Sequence, residues 1–340
     1  MTRLLAYEPA WRRILPRLGP MAERLCPVLV GEDARLRCDG AALSEGEAQA
    51  DIAWMSGDLF EGPAARPFMV AALKSPGLTW MQSAAAGFDD EIFRRIIDKG
   101  ARLTTSHGQA VGMAEWVLWG VLDHFQRGPE RRAAQAGGEW RRFFYREVSG
   151  TTWLVFGFGA VGRGVAARAR ALGARILAVR RQLGPDPLAD EVLGAEAVIG
   201  RLSEADVVVM AAPLSAVTRH VANGRFFAAM KPASVFVNLA RGALVDEAAL
   251  IAALNRDAPG FALLDVFETE PLPDASPLWS HPKVSITAHA SGITAGQRTR
   301  NDALFVDNLT RFLEGAPLLH EADPADVRAA PGGEGLGGDI

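Results

Sequence analysis

The chain has 340 residues, 49% of them apolar and 22% charged, with a formal net charge of −4. That length suits two domains of ordinary size, and the charge gives no reason to expect nucleic acid or an anionic membrane as partner. The two cysteines, Cys26 and Cys38, form neither a metal-ligand pattern nor a disulfide framework for a chain this long, so no metal is expected. Glu8 and Pro9 come before any long apolar run, so the N-terminal segment does not read as a signal peptide. No window approaches the roughly 20 apolar residues of a membrane span, and a cytoplasmic protein is expected.

In chain order, Val28-Leu29-Val30, Ile52-Ala53-Trp54-Met55 and Trp80-Met81-Gln82 read as buried strands, each followed by turn residues and a helix candidate such as 89–99. Strands alternating with helices predict a parallel α/β sheet. A long helix is predicted over 109–127, where Val111, Val117, Leu118, Val121, Leu122 and Phe125 fall near helical spacing, with Gly128-Pro129 as its stop. Trp116 and Trp119 widen its apolar surface beyond one stripe. That fits either a helix buried on two sides, against a second subunit, or ordinary core packing.

From Thr152 the alternation restarts. Trp153-Leu154-Val155-Phe156 reads as a strand and 160–172 as a helix. Strands follow over 175–179, 207–211, 235–239, 261–266 and 284–287, with helices near 223–230 and 246–255. This is the pattern of a doubly wound nucleotide-binding domain. It is inserted in sequence, because a helix over 294–314 follows and is expected to pack on the first domain. The expected division is 1–105 plus 290–322 for a flavodoxin-like substrate domain and 106–289 for a Rossmann cofactor domain, both α/β with doubly wound parallel sheets. The Gly-rich stretch 323–340 is expected to be disordered.

Gly157-Phe158-Gly159-Ala160-Val161-Gly162 lies between a predicted strand and a predicted helix, the context that gives such a motif meaning. Gly157 allows the tight turn, Gly159 the approach of a pyrophosphate, and Gly162 close helix–strand packing. The free amides of Ala160 and Val161 then face the phosphates at a helix N-terminus. The next strand ends in Val179-Arg180-Arg181, where an acid for the ribose hydroxyls of NAD would stand. Two guanidiniums there suit a 2′-phosphate and favour NADP over NAD. Solvated surface arginines are the competing reading, since arginine is common in this chain.

Three polar residues complete the set: Arg241 in Asn238-Leu239-Ala240-Arg241-Gly242, Glu270 in Phe267-Glu268-Thr269-Glu270-Pro271, and His289 in Thr287-Ala288-His289-Ala290-Ser291. An arginine, a carboxylate and a histidine can grip a carboxylate, tune an imidazole and move one proton. With Ala212-Pro213-Leu214-Ser215, Met230-Lys231-Pro232, Leu264-Asp265-Val266-Phe267 and Glu270-Pro271-Leu272-Pro273, these motifs resemble the D-isomer-specific 2-hydroxyacid dehydrogenase family, and within it the glyoxylate/hydroxypyruvate reductases. The similarity is densest over 140–292; the first hundred residues resemble it chiefly through Ala85-Ala86-Gly87-Phe88-Asp89 and Met113-Ala114-Glu115.

The resemblance implies reduction of small 2-oxo acids to D-2-hydroxy acids by NADPH, with NAD possible. It gives Arg241 the substrate carboxylate and carbonyl oxygen, makes His289 the general acid, and has Glu270 orient the imidazole. It also implies that Asp265 holds the nicotinamide carboxamide, that Pro213, Thr218, Leu239 and Ala240 line the cofactor, and that the amides of Ala86 and Gly87 cradle the substrate carboxylate. A homodimer is expected. Glu268 lies off the motif, and His107, His124, His220, His281 and His320 read as structural or exposed. Ala288 replaces the proline usual before the histidine. Competing readings are a dinucleotide-sensing, corepressor-like binding protein, an NAD-dependent dehydrogenase of another 2-hydroxy acid, and, less favoured, a formate dehydrogenase, which would carry glutamine at 270.

Overall fold

The computed structural model describes residues 1–88 and 90–330. The chain divides into two compact units, Met1–Gly108 with the residues from Thr294 onward, and Gln109–Ile293.

The first unit runs through β1 (Thr2–Tyr7), α1 (Glu8–Leu18), β2 (Leu25–Val30), β3 (Leu36–Cys38), β4 (Ala41–Leu43), β5 (Ile52–Met55), α2 (Ala65–Lys74), β6 (Trp80–Ser83), α3 (Glu91–Asp98) and β7 (Arg102–Thr104). The sheet order is β4-β3-β2-β1-β5-β6-β7. All pairs are parallel except at one edge, where β3 and β4 turn antiparallel.

β1 is the strand that sequence reading passes over. It lies between β2 and β5, so Leu4, Leu5 and Ala6 are fully buried. Glu8 and Pro9 do not interrupt it; they open α1, where a proline in the first turn gives up no helical hydrogen bond. α3 begins after Asp90, whose side chain accepts from the Ile92 amide, while the expected start at Asp89 lies outside the described residues.

The second unit runs through α4 (Ala110–Phe125), α5 (Gly128–Ala136), β8 (Thr152–Phe156), α6 (Ala160–Ala171), β9 (Arg175–Val179), β10 (Glu191–Leu193), α7 (Val198–Arg201), β11 (Val207–Met210), α8 (Gly224–Ala229), β12 (Val235–Asn238), α9 (Glu247–Leu254), β13 (Phe261–Leu264) and β14 (Val284–Ile286). Its sheet is wholly parallel, in the order β10-β9-β8-β11-β12-β13-β14. Side chains alternate across it: Trp153 and Val155 pack with α4 and α6, whereas Leu154 and Phe156 pack with α7, α8 and α9. Strand order reverses at β8, between β9 and β11, the position at which such sheets open a ligand crevice at their carboxyl ends.

Gly128-Pro129 does end α4, but it also starts α5, with Arg127 in the left-handed region at φ +57° making the corner. Trp119 on α4 is exposed on the surface of the single chain.

The chain returns to the first unit as α10 (Ala295–Glu314) and α11 (Pro324–Ala329). Phe305 of α10 stacks on Trp54 with ring centroids 4.2 Å apart. The expectation of disorder from 323 is corrected by α11: Asp323 caps it through the Ala325 amide and Val327 is buried. Residues 331–340 lie outside the described residues. The units divide at 108/109 and 293/294, a few residues beyond the expected 105/106 and 289/290. At the second division the reason is visible, because the Ala290 and Ser291 amides bond to Asp265 within the second unit. Among the described residues, no helix is long and apolar enough to cross a membrane.

Candidate active site

The carboxyl ends of β8, β12 and β13 carry most of the chemistry. After β8, Gly157 turns the chain at φ +98°, and a β-carbon there would lie 2.4 Å from the Ala212 nitrogen, so only glycine fits between strand ends. Gly159 precedes α6 with no side-chain cap, and a β-carbon on it would meet nothing within 4 Å. Open space in front of uncapped Ala160 and Val161 amides suits a pyrophosphate, so the residues present fit a dinucleotide.

The end of β12 is a tight turn. Asn238 is buried; its Nδ2 donates to the Arg241 carbonyl at 2.9 Å and its Oδ1 accepts the Ala240 amide at 3.2 Å. Behind Arg241, the backbone of Phe267 passes so close that a β-carbon on Gly242 would lie 1.8 Å from the Phe267 carbonyl. That contact sets the Arg241 turn directly against the segment that carries Glu270.

Glu270 Oε2 lies 2.7 Å from His289 Nδ1, and its Oε1 accepts the Phe267 amide at 2.9 Å. With Nδ1 committed to the carboxylate, Nε2 is the nitrogen left to exchange a proton with a ligand. The hydrogen bond that His289 donates to Glu270 raises the His289 pKa above its ordinary value of 6.5; burial and the Arg241 charge oppose, and Asp265 adds to the rise. Burial pushes the Glu270 carboxyl up. The His289 and Phe267 hydrogen bonds and the charges of His289 and Arg241 outweigh it, so the carboxyl titrates below its ordinary range. The three groups form one electrostatic unit in which Glu270 mediates between two cations.

His289 stands in the left-handed region at φ +49°, which costs a residue with a β-carbon roughly 1–2 kcal/mol. Asp265 holds it there. The Asp265 carbonyl accepts the His289 amide at 2.8 Å, and its carboxylate accepts the Thr287 hydroxyl, the Ala290 amide, and both the amide and hydroxyl of Ser291. The residue is 1% exposed and its acceptor sites are filled. Asp265, expected to hold the nicotinamide carboxamide, makes these bonds to the histidine loop.

Other expected cofactor contacts also find work within the protein. Thr218 Oγ1 donates to the Pro213 carbonyl at 2.9 Å and accepts the Ser215 amide at 2.8 Å, tying off the loop after β11. Leu239 is buried in the core, whereas Ala240 is half-buried. Arg180 lies at the end of β9, where Nη1 meets Asp186 at 3.1 Å and Nη2 donates to the Gly184 carbonyl at 2.9 Å; Arg181 is exposed.

In the first unit, Ala86 and Gly87 follow β6 on a loop fixed by the Ala85 amide to Ser83 Oγ at 3.0 Å and by the Ser106 amide to the Ala85 carbonyl at 2.9 Å. Asp89 of the same motif lies outside the described residues.

Sequence reading missed one pairing. His220 Nε2 lies 2.8 Å from Glu268 Oε1, and the Glu268 amide donates to Glu247 Oε1 at 2.6 Å. Burial, with Glu268 and Glu270 nearby, raises the Glu247 carboxyl pKa. Forty-eight residues separate 220 from 268, so no local signal joins them.

A family model described as "D-isomer specific 2-hydroxyacid dehydrogenase, NAD binding domain" matches residues 118–291. The chain belongs to this family. This dehydrogenase is 38% identical over 217 residues to the (S)-sulfolactate dehydrogenase of Chromohalobacter salexigens, covering 63% of this chain and 70% of that one. It is 34% identical over 255 residues to the glyoxylate reductase of Thermococcus gammatolerans, covering 71% and 75%. A family member from Aeromonas salmonicida superimposes with TM-score 0.76 at 29% identity, over 95% of this chain and 99% of that one. A crystal structure of the Xanthobacter autotrophicus enzyme with NADPH and MES gives 0.75 at 28% identity, over 96% and 99%. The dehydrogenase is an NAD(P)-dependent oxidoreductase of 2-hydroxy acids built from two parallel-sheet α/β domains.

Proposed function

We propose that the enzyme reduces small, unphosphorylated 2-oxo acids of the glyoxylate and hydroxypyruvate type to glycolate or D-2-hydroxy acids, using NADPH. The observation that carries this reading is the 2.7 Å contact between Glu270 and His289 beside Arg241. The bound dihydronicotinamide supplies the hydride. Arg241 offers a planar fork to the substrate carboxylate and carbonyl oxygen. His289 Nε2 delivers a proton to that oxygen as charge develops on it, and Glu270 stabilises the imidazolium beforehand and keeps the ring oriented. Ala86 and Gly87 supply amide donors to the carboxylate. In the reverse direction His289 takes the proton back.

Preference for NADPH rests on arginine, rather than an acid, at the end of β9, and accords with a relative of this fold that holds NADPH. Preference for small neutral tails rests on the first unit. There Glu32, Asp58 and Glu61 follow the carboxyl ends of β2 and β5, and the loop at Ala86 and Gly87 carries no lysine or arginine to meet a sulfonate or phosphate. The homodimer reading draws on the segment after α5, where Trp140 and Phe144 are each 99% exposed and Tyr145 and, on α4, Trp119 are half-exposed. The free thiols of Cys26 and Cys38 accord with the cytoplasm.

A steady-state screen of glyoxylate, hydroxypyruvate, pyruvate and sulfopyruvate with each cofactor tests the reading. Highest kcat/KM on glyoxylate or hydroxypyruvate with NADPH is expected. Preference for sulfopyruvate would move the enzyme to the other named relative's substrate, and no turnover with tight dinucleotide binding would revive the sensor reading.

A further inference from the structure

A buried carboxylate sits among the cations at the end of β9. Asp186 is 8% exposed and accepts from Arg163 Nη1, from Arg180 Nη1 at 3.1 Å and from the Leu188 amide at 3.1 Å. Arg163 belongs to the first turn of α6, directly after the glycine turn, and its guanidinium lies over the Phe158 ring. Although burial pushes the Asp186 carboxyl up, the Leu188 amide and the two arginines keep it ionised. One negative charge is thus shared between two positive ones, leaving an excess of one. Arg180 Nε is buried with no acceptor among the described residues. An acid that reads a ribose diol has to be available to it, whereas Asp186 is committed to two guanidiniums.

We propose that Asp186 is a positioning residue for cofactor choice: it clamps Arg180 and Arg163 into a fixed cationic pair that takes the adenosine 2′-phosphate. The proposal rests on the NADPH reading above. The carboxylate fixes the Arg180 rotamer that the phosphate needs and leaves the site a net positive charge. With Arg180 clamped, a phosphate monoester meets donors that need no reordering, and a ribose diol meets no acceptor.

The test uses the full-length enzyme and two readouts, calorimetric Kd for NADPH and NADH without substrate, and KM against kcat with each. Asp186→Asn is expected to weaken NADPH about ten-fold in both Kd and KM, the worth of one charge-assisted hydrogen bond. NADH affinity and kcat at saturating NADPH should stay within about two-fold of wild type. Arg180→Ala should weaken NADPH in the same sense, and the double variant should be no weaker than Arg180→Ala alone, because Asp186 acts through that arginine. Arg163→Ala, which leaves Asp186 to neutralise Arg180, should also weaken NADPH selectively and serves if the Asn variant does not fold. Unchanged or tighter NADPH binding in Asp186→Asn would overturn the proposal, as would equal weakening of both cofactors in either single variant. A wild type that prefers NADH overturns the cofactor reading itself, before any variant is compared.

Discussion

The Asp265 carbonyl accepts the His289 amide at 2.8 Å, while the Asp265 carboxylate gathers the residues on both sides of that histidine. The imidazole is therefore aimed by a buried acid that never touches it. Asp265→Asn replaces one acceptor oxygen by a donor and disrupts part of this set. On the positioning reading kcat falls by about 10²-fold, the order that a small misplacement of a catalytic group costs, while Kd for the cofactor changes little. A contact to the nicotinamide would give the opposite split, so titrating cofactor binding in the variant decides between them.

The raised His289 pKa fixes the sign of the pH dependence. On the proposed role of His289 reduction needs the imidazolium, so kcat/KM for a 2-oxo acid should hold on the acid side and decline as pH rises through the raised value. Glu270→Gln removes the hydrogen bond and charge that raise it, so the decline moves to lower pH. A profile left in place would remove Glu270 from this role. The same pair contributes to stability with matching signs. The His289 contribution is fully present below the ordinary imidazole value of 6.5 and is lost as pH rises through the folded one. The Glu270 contribution is present above the ordinary 4.5 and is lost as pH falls through its depressed value.

Arg241→Lys keeps a charge and loses the planar fork. Loss of a paired contact to a carboxylate costs on the order of 1.5–3 kcal/mol, so kcat/KM for the 2-oxo acid should fall roughly ten- to a hundred-fold. Cofactor Kd should stay near wild type. A variant with unaltered substrate kinetics would take the carboxylate away from Arg241.

Gly242→Ala places a methyl group 1.8 Å from the Phe267 carbonyl, so the β12 turn and the segment bearing Glu270 must separate. Clashes with backbone fall at or beyond the upper end of the 1–3 kcal/mol typical of overpacking. A lowered Tm and an alkaline decline shifted to lower pH should appear together. A lowered Tm with an unshifted pH profile would show that the two turns are not mechanically linked.

The cofactor turn was legible because its constraints are local: Gly157 and Gly162 have to be glycine for the strand and helix beside them to pack. Glu270 and His289 were legible through motif context, and the structure brings them together at 2.7 Å. The bonds from the histidine loop to Asp265 were not, since its partners at 287–291 lie more than twenty residues away and present mostly backbone, which carries no sequence signal. β1 was missed for a related reason: a strand flanked on both sides shows no alternation, and its six residues run straight into Glu8-Pro9. Asp186 could not be singled out in a chain rich in both acids and arginines until folding brought Arg163 and Arg180 to it.

Arg241, Glu270, His289, Asp265 and the glycine turn all fall between Gln109 and Ile293, and the family model matches 118–291, inside the same stretch. Reaction type is thus inherited as one uninterrupted piece of chain, whereas the other unit is written in two pieces and carries the proposed anion loop. Descent can preserve the first while the second drifts. Relatives named for sulfolactate and for glyoxylate then match this chain with similar identity, 38% and 34%. Similarity scores in such a lineage record kinship of mechanism; on the proposed role of Ala86 and Gly87, diet has to be read from the other unit.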